Sequence, residues 1–599
     1  MLGGFASWCP DGTVVRKSSQ ATLGIGRLVT TAQQARGDRT PSTSDVVAVV
    51  DGRFDDLGTL RGVLGADADA SDADLVVAGY RRWGADVVTH LGGEFALLIW
   101  DEVASTLVAA RDPFGVRPLF YARPGGRFVA ASDPEQILAA GLVPAQPDDE
   151  TVIGHLLWEF HDAERSFFRE IRRLPPGHIL IANSGGTRIV DYRRPAVADV
   201  GDGPEVWTEF RRLFFSAVQR RMESSGSCLL HLSGGLDSSC IVCAADRMRE
   251  SQTEAPHEVL AIAELHPGMA SNEEPFVRAV EAQIRFPVEC WDGTDARTGE
   301  LDDVPVWAPG ARFSWTGGTS GDLDIAGRRG ARVILNGTGG DQIGITSGVH
   351  HDAIAERRWG TATRFLLEAP GATVASSFRT ALRLAKSLAP RWVGELHDSV
   401  RRRRQQKPKW LRDDAWARWR PLPSRFDAPA TLRTGVQRSH WRELTSPRHV
   451  LSVEWAQQHA LRSGVEVRFP FMDGPLVAFA LSIPSRLWPP PWPFERLQRT
   501  ALADILPAAV AQRRSKANAS DVLANRVQRQ LSTIRALFHS GSWASEPYVD
   551  QRGAQEVLAA FQNQGDPPFW ATWSLWAIAT LEAWLRRLSR YTPPPRREA

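Results

Sequence analysis

Residues 233–238 combine glycine, hydroxyl and carboxylate side chains in an order suited to binding a polyphosphate. The segment reads SGGLDS and follows the apolar run CLLHL at 228–232. Glycines let backbone N–H groups approach phosphate oxygens closely, and the N-terminus of a following helix adds unpaired N–H groups. The residues predicted to bind phosphate or its Mg²⁺ are Ser233, Gly234, Gly235, Asp237 and Ser238. Asp237 is the predicted magnesium ligand among them. The alternative is an ordinary glycine turn in which Asp237 and Ser238 cap the helix.

A second segment repeats this arrangement later in the chain. Residues 335–341 read LNGTGGD, so an apolar run, a glycine-rich turn and the carboxylate of Asp341 again follow one another. Apolar runs at 259–263 and 332–335 alternate with helical patterns, which predicts a parallel, doubly wound α/β sheet. In such sheets ligands bind at the carboxyl ends of the strands. We therefore expect Asp237 and Asp341 to share Mg²⁺ over one pyrophosphate.

The first part of the chain is strand-rich and reads as an α+β layer structure. Short apolar runs broken by Gly, Asp and Pro predict strands at 46–50, 95–100, 106–110, 128–131 and 178–181. The dipeptide Asp51-Gly52 is expected to end the first of these strands. Near 201–204 the pattern changes to long helical periodicity. We predict two domains, 1–195 and 205–590.

Composition restricts the class of protein. A chain of 599 residues is too long for one hydrophobic core, so more than one domain is expected. The formal net charge of +2 gives no general attraction to nucleic acid or to an anionic membrane. No apolar run reaches the roughly 20 residues of a membrane span, and no signal-peptide pattern is seen, so a cytoplasmic protein is predicted. Cys240 and Cys243 lie in an apolar run and are interpreted as buried helix residues rather than a zinc or redox site.

Three further segments extend the pattern in chain order. Residues 466–484 read EVRFPFMDGPLVAFALSIP, 506–507 read LP and 513–516 read RRSK. Together with SGGLDS and GTGGD, they resemble the synthetase domain of class B asparagine synthetases, and residues 91–121 resemble the core strands of the glutaminase domain of that family. The resemblance implies an Ntn-type αββα glutaminase-like domain, then an α/β PP-loop ATP-pyrophosphatase domain with a helical C-terminal part. It also implies ATP and Mg²⁺ as cofactors.

The residues that the family uses to cleave glutamine are replaced in this chain. The family nucleophile is a cysteine exposed at the N-terminus, where this chain has Leu2. Asp51 and Arg53 stand where the family has an asparagine and an acid. Cys9 is a poor substitute, because the mechanism uses the free α-amine of the nucleophile as its base. We therefore predict that ammonia does not come from glutamine.

The second turn separates the branches of the family. Asparagine synthetases carry a glutamate where this chain has Thr338, β-lactam synthetases carry a tyrosine there, and Gln342 replaces a further glutamate. The isopeptide-bond-forming cyclases of lasso peptides commonly lack the N-terminal cysteine, read GxGGD here and carry a Trp/Arg-rich insertion. The chain shares these features and resembles the cyclases most. A β-lactam-type intramolecular amide ligase, an asparagine synthetase using free ammonia and an inactive homologue stay open.

Resemblance to the cyclases implies a reaction and its partners. ATP adenylates an Asp or Glu side chain of a short core peptide and pyrophosphate leaves. The N-terminal amine of the core peptide then closes a macrolactam (isopeptide) ring and AMP leaves. The implied partners are the lasso precursor peptide, a leader peptidase and a leader-binding protein, with no nucleic acid and no membrane.

Position in the family motifs assigns further residues. Lys516 is the predicted catalytic residue, which stabilises charge on the adenylate and the tetrahedral intermediate. The residues expected to line ATP, mainly through backbone atoms, are His231, Leu232, Ala263, Asn336 and Gly337. Those interpreted as partners of arginines are Glu273, Glu466 and Asp473. The basic, Trp-rich segment 390–420 is either a surface that binds peptide or a partner protein, or a solvated helical face.

Overall fold

The computed structural model describes residues 8–36, 45–249, 258–294, 301–309, 320–344, 348–367, 406–419, 428–488, 496–513, 520–563 and 567–593. Over these residues a strand-rich N-terminal unit packs against a unit built on a parallel sheet, and buried ion pairs join the two. Within the described part of the chain, no helix combines the length and the apolar character needed to cross a lipid bilayer.

The N-terminal unit is built on antiparallel strands. Its strands are β1 (Thr13–Lys17), β2 (Thr22–Gly26), β3 (Val46–Asp55), β4 (Gly92–Asp101), β5 (Thr106–Arg111), β6 (Phe120–Ala122), β7 (Val129–Ala131), β8 (Arg172–Arg173), β9 (His178–Asn183) and β10 (Gly186–Asp191). They form a hairpin β1-β2, a five-stranded sheet β10-β9-β5-β4-β3 and a three-stranded sheet β7-β6-β8. The α-helices of this unit are α1 (Leu57–Leu64), α2 (Asp72–Trp83), α3 (Pro134–Ala139) and α4 (Asp149–Leu157). This is the predicted glutaminase-like α+β architecture.

β3 continues through the dipeptide Asp51-Gly52, so the prediction that the strand ends there is wrong. Gly52 pairs with Phe95 of β4 and has φ 124°, which residues with a side chain rarely adopt. A Cβ added at Gly52 would overlap the Glu94 carbonyl oxygen and lie 2.9 Å from Phe95 Cα. The glycine therefore serves the close approach of two strands rather than a turn.

The second unit contains the predicted parallel sheet. Its strands are β11 (Cys228–His231), β12 (Val259–Leu265), β13 (Val288–Asp292), β14 (Val333–Leu335) and β15 (Glu466–Arg468). All neighbouring pairs are parallel, in the order β13-β12-β11-β14-β15. Leu229 and Leu230 of β11 are fully buried, as expected for a central strand covered on both faces. The chain runs from β11 outwards to β13 and then returns to the other side of β11, so the strand order reverses between β11 and β14.

Helices cover this sheet and make up the C-terminal part. They are α5 (Glu205–Met222), α6 (Leu236–Arg249), α7 (Glu274–Glu281), α8 (Ser320–Arg329), α9 (Gly340–Gly344), α10 (Val349–Ala355), α11 (Trp359–Leu367), α12 (Asp413–Arg418), α13 (Gly435–Thr445), α14 (Pro447–Leu461), α15 (Gly474–Ser482), α16 (Arg496–Ala501), α17 (Ala508–Ala511), α18 (Ser520–Arg529), α19 (Leu531–His539), α20 (Gln551–Gln562) and α21 (Phe569–Ser589). Cys240 and Cys243 are buried in α6, which confirms their interpretation as core residues.

Buried ion pairs join the two units beneath β15. The charged residues that take part are Asp51, Arg53, Asp55, Glu94, Arg117, Arg220, Arg221, Glu466, Arg468 and Asp473. Glu466 lies at the centre, where its carboxylate pairs with Arg117 of the first unit and, at 3.0 Å, with Arg468 of the second. The structural roles predicted for Glu466 and Asp473 are confirmed. Their formal charges balance, as burial of so many ionised groups requires.

Loss of the Glu466 charge is expected to destabilise the protein strongly. Glu466→Gln keeps the shape of the side chain but leaves Arg117 and Arg468 buried with less compensation, which should cost about 3–5 kcal/mol. The measurement is the urea unfolding midpoint at neutral pH. Glu209→Gln is the matched control, because Glu209 pairs with Arg212 at the surface, and we expect its midpoint to stay near that of the unchanged protein. Equal midpoints for the two variants would contradict the stabilising role of the buried pairs.

Acid should weaken the same interface. Burial alone would raise the pKa of Asp55, but the guanidinium groups of Arg221, Arg53 and Arg220 together lower it to about 2. Burial likewise opposes the ionised form of Glu466, yet Arg468 and Arg117 hold its pKa well below the usual value of a glutamate. Carboxylates with a depressed pKa stabilise the fold above their unfolded-state pKa, so this stability is lost as the pH falls from about 4 towards 2.

Candidate active site

The first glycine turn lies at the carboxyl end of β11 and leads directly into α6. The Ser233 and Ser238 hydroxyls lie 3.0 Å apart, and the Ser238 hydroxyl accepts a hydrogen bond from the Ser233 N–H at 3.2 Å. The hydroxyls of Ser238 and Ser239 both donate to the Gly235 carbonyl, at 3.2 and 2.7 Å. These bonds hold the turn in one shape. Ser233, Gly235 and Asp237 nevertheless stay partly exposed, so a ligand can reach them.

Gly234 is the tightest point of this turn. It has φ 78°, and an added Cβ would lie 3.0 Å from the Glu273 carbonyl oxygen and 3.1 Å from Phe276 Cβ. Arg513 donates to the Gly234 carbonyl at 3.2 Å, forms an ion pair with Glu273 and stands 4.1 Å from the Phe276 ring centroid. Glu273 is thus paired with an arginine, Arg513, as predicted. Arg513 is the described residue of the RRSK motif, and Lys516 lies outside the described residues.

The second glycine turn follows β14 and leads into α9. The Asn336 N–H donates to the Arg468 carbonyl at 2.9 Å, which ties the start of the turn to β15. Asn336 Oδ1 accepts from the Thr338 N–H at 2.8 Å and from the Thr338 hydroxyl at 2.6 Å. Gln342 Oε1 accepts from the Gly339 N–H at 3.0 Å. Thr338 and Gln342 therefore shape the turn, and neither supplies a proton acceptor comparable to a carboxylate.

The two turns touch each other at the point where the strand order reverses. A Cβ added at Gly337 would lie 3.0 Å from the backbone nitrogen of Ser238. A Cβ added at Gly340 would lie 2.5 Å from Asp237 Oδ2, and closer still to the other carboxylate atoms. The carboxylate of Asp237 thus lies directly against Gly340 of the second turn, the residue that precedes Asp341 in the chain. The predicted crevice is formed from both turns together.

The donor set of this crevice fits magnesium bound together with a polyphosphate. Within the described residues, no group of three or more His, Cys, Asp and Glu side chains is arranged to hold a metal by itself. Mg²⁺ usually takes one or two carboxylates and completes its shell with water and substrate phosphates. Asp237 and Asp341 offer such carboxylates. The absence of a Cβ at Gly340 leaves room for the Asp237 carboxylate. ATP and Mg²⁺ binding by these residues stays a prediction.

The residues predicted to line the nucleotide lie at the carboxyl ends of three neighbouring strands. His231 ends β11, and its Nε2 lies 3.9 Å from Asp322 Oδ2. Leu232 and Ala263 are fully buried, so their side chains belong to the core of the sheet. Asn336 and Gly337 follow β14 and belong to the second turn described above. The sheet therefore brings these residues to one edge, and their roles stay predictions.

Gln498 is part of this site and was not identified from the sequence. It lies on α16, is fully buried, and its amide nitrogen donates to Asp237 Oδ1 at 3.1 Å and to the Gly340 carbonyl at 3.2 Å. No motif marks it, and the polar helix sequence RLQRTA at 496–501 gives no signal that this glutamine is buried.

The residues at the positions of the family's glutamine-cleaving residues form ion pairs and hydrogen bonds in this structure. Arg53 is buried, with its guanidinium 2.8 Å from Asp55 and 3.6 Å from Glu94. The Asp51 carboxylate accepts from the Ser132 hydroxyl at 2.5 Å. Burial and the nearby Asp51 charge raise the pKa of the Cys9 thiol, which disfavours the nucleophilic thiolate. These groups serve packing and ion pairing.

The Trp-rich segment 390–420 is described only from residue 406 onwards up to 419. Trp410 and Trp419 are buried in the hydrophobic core that includes α21, and Trp416 packs against the same core. Lys407 forms an ion pair with Asp413 at 3.2 Å. For Trp410 and Trp419 both interpretations, a binding surface and a solvated face, are wrong, whereas Trp416 is only partly buried. Arg401 to Arg404 lie outside the described residues.

Each of the two units matches a known protein family. Residues 209–586 match the model of the asparagine synthase family, and residues 1–193 match that of a glutamine amidotransferase domain. Amidase chyE of Penicillium rubens is 26% identical over 322 residues, which cover 50% of this chain and 47% of that protein. Asparagine synthetase [glutamine-hydrolyzing] 3 of Bacillus subtilis is 33% identical over 195 residues, 32% of each chain.

Amidase chry2 of Gibberella zeae is 27% identical over 223 residues, 35% of this chain and 32% of that protein. The matched regions thus span less than half the length of these curated relatives. The synthase match covers the parallel sheet, both glycine turns and α16, and extends over more than half of the chain. The chain therefore belongs to the asparagine synthase family.

Proposed function

We propose that this protein is an ATP-dependent ligase that adenylates a carboxylate and passes the acyl group to an amine, with pyrophosphate and AMP as products. The observation that carries the proposal is the meeting of two glycine turns where the strand order reverses, with the Asp237 carboxylate held against Gly340. A crevice with backbone N–H groups and carboxylates at the ends of parallel strands suits a nucleotide polyphosphate.

The residues of the crevice have distinct tasks in this reaction. The first turn binds the β- and γ-phosphates through its backbone N–H groups and the partly exposed Ser233 hydroxyl, while the buried Ser238 hydroxyl holds the turn in shape. Arg513 holds the Gly234 carbonyl, so that carbonyl points away from the phosphates. Asp237 and Asp341 would hold Mg²⁺, which would supply positive charge to neutralise the pyrophosphate. Lys516 follows Arg513 closely in the chain, and we assign it to the charge on the acyl adenylate and the tetrahedral intermediate.

The attacking amine does not come from glutamine in this proposal. Arg53 is locked into buried ion pairs at the position of the family's acid, and the pKa of the Cys9 thiol is raised. The N-terminal unit then acts as a structural partner, because its Arg117 and Glu94 ion pairs reach β15 and α5 of the synthase unit.

The finer assignment is closure of a macrolactam ring within a ribosomal lasso peptide. The Thr338 hydroxyl donates to Asn336, so Thr338 is not a general base for the attacking amine. A peptide α-amine has a pKa near 8, about 7.7–8.0 in model peptides, so part of it is already neutral at physiological pH. The N-terminus of the substrate itself therefore suits this site better than a weakly nucleophilic nitrogen. Holding amine and adenylate in one peptide also removes the entropic cost of a bimolecular encounter. A leader peptidase and a leader-binding protein are the proposed partners.

Asparagine formation from free ammonia is the second candidate. It is favoured by the similarity to proteins named asparagine synthetase, whose matches cover 30% to 50% of this chain. Position 338 argues against this candidate, because asparagine synthetases carry a glutamate where this chain has Thr338. It also argues against a β-lactam-type intramolecular ligase, because β-lactam synthetases carry a tyrosine there.

The decisive experiment follows nucleotide and acyl products together. The full-length protein is incubated with ATP, Mg²⁺, a leader peptidase and a precursor whose core carries an acid side chain near its start. We expect AMP, pyrophosphate and a core peptide lighter by one water, and we expect no glutamate when glutamine is added. ADP and phosphate would contradict the adenylation chemistry. Asparagine from aspartate and ammonia, or a lactam from a β-amino acid, would replace the cyclase assignment while leaving adenylation intact.

A further inference from the structure

We propose that Gln498 is a positioning residue that holds the Asp237 carboxylate in its magnesium-binding place while leaving its negative charge intact. This inference rests on the proposed function, because it assigns a task to Asp237 in binding Mg²⁺ and ATP. It concerns a residue more than two hundred positions away in the chain, which no motif connects to either turn.

The contacts of the Gln498 amide set its orientation. Both neighbours, Asp237 Oδ1 at 3.1 Å and the Gly340 carbonyl at 3.2 Å, are hydrogen-bond acceptors. Only the amide nitrogen, with its two hydrogens, can face both of them. One side chain therefore bridges the first turn to the second and holds the Asp237 carboxylate next to the Gly340 carbonyl.

The surroundings make this bridge rigid. Gln498 is fully buried, and its neighbours Leu497 and Leu502 on the same segment are buried as well. α16 packs against α5, α6 and α9, so it contacts the helices that follow both turns. Gln498 Oε1 is buried and has no hydrogen-bond partner within the described residues. Burying an amide whose oxygen has no partner is costly, and the two hydrogen bonds of the nitrogen offset part of that cost.

A neutral donor suits this position better than a cation. A lysine or arginine beside Asp237 would also hold the carboxylate, but its positive charge would compete with Mg²⁺ for it. A leucine would fill the space but would donate no hydrogen bond to the Asp237 carboxylate. The bridge of an uncharged amide therefore orders Asp237 without lowering its attraction for a divalent cation.

The test measures how much Mg²⁺ the protein needs to bind ATP. The melting temperature of the full chain is recorded with a fixed concentration of ATP over a Mg²⁺ series, since bound ligand stabilises the folded state. For Q498L we expect the Mg²⁺ midpoint to rise about tenfold, the effect of losing a hydrogen bond to a charged group. Q498K should shift the midpoint further in the same direction. In both variants the rate of pyrophosphate release should recover when Mg²⁺ is raised.

Gln458→Leu is the matched control. Gln458 is a buried glutamine whose amide donates to the buried Asp133 at 3.2 Å, in the interface rather than at the turns. It should lower the melting temperature without ATP and leave the Mg²⁺ midpoint unchanged. Unchanged midpoints in Q498L or Q498K, beside Mg²⁺-dependent stabilisation of the original protein by ATP, would overturn the inference and leave the proposed function standing. If the original protein shows no such stabilisation, both fail together.

Discussion

Asp237→Asn is expected to reduce pyrophosphate release by about 10³-fold, the equivalent of about 4 kcal/mol of lost charge stabilisation. The amide keeps the size of the side chain but carries no negative charge, so Mg²⁺ and the leaving pyrophosphate lose one ligand. The Gln498 amide would also face a neutral group. We expect the melting temperature without ATP to change little, because Asp237 is partly exposed. The assay is pyrophosphate release with the acyl substrate that supports turnover.

Asp246→Asn is the control for this variant. Asp246 lies on the same helix, α6, but near its other end, where its carboxylate accepts from the Arg285 N–H at 2.9 Å and pairs with the Arg285 side chain at 3.1 Å. Its loss should lower the melting temperature and leave pyrophosphate release intact. Equal pyrophosphate release by the two variants would show that Asp237 is not a magnesium ligand. A large loss in both would indicate damage to α6 rather than to metal binding.

Much of the candidate site could be predicted from local sequence. The segment 233–238 follows a buried strand and opens a helix, and each of these features depends on residues close in the chain. The same holds for 335–341, where the strand is short but ends at the glycines. Parallel pairing of β11 with β14 then follows from the alternation of strands and helices.

Features that depend on contacts distant in sequence were missed or misjudged. Gln498 meets Asp237 only because α16 packs against α6 and α9, and no periodic pattern signals that contact. Gly52 looks like a turn residue, but its role is set by the Glu94 carbonyl of the neighbouring strand. Trp410 and Trp419 stand among basic residues, and tryptophan serves equally in a core or at a surface, so only the fold distinguishes these roles.

Gly340→Ala is expected to lower pyrophosphate release by about a hundredfold or more, with almost no loss of stability. The added Cβ would lie within 2.5 Å of the Asp237 carboxylate, whose atoms are the end of a short side chain that can rotate away. Rotation relieves the overlap, but it breaks the hydrogen bond with Gln498 and removes the carboxylate from the magnesium position. Because φ of Gly340 is not in the left-handed region, the backbone itself accepts alanine.

Gly327→Ala separates this effect from the general influence of alanine in a helix. Gly327 lies within α8, and a Cβ there would meet no atom within 4 Å. Alanine should stabilise that helix by about 0.5–1 kcal/mol and leave pyrophosphate release unchanged. For Gly340→Ala the melting temperature without ATP should stay close to that of the original protein, while the Mg²⁺ needed for ATP binding rises. Full activity of Gly340→Ala would mean that the Asp237 carboxylate does its work in another position, because the observed one cannot coexist with a methyl group at residue 340.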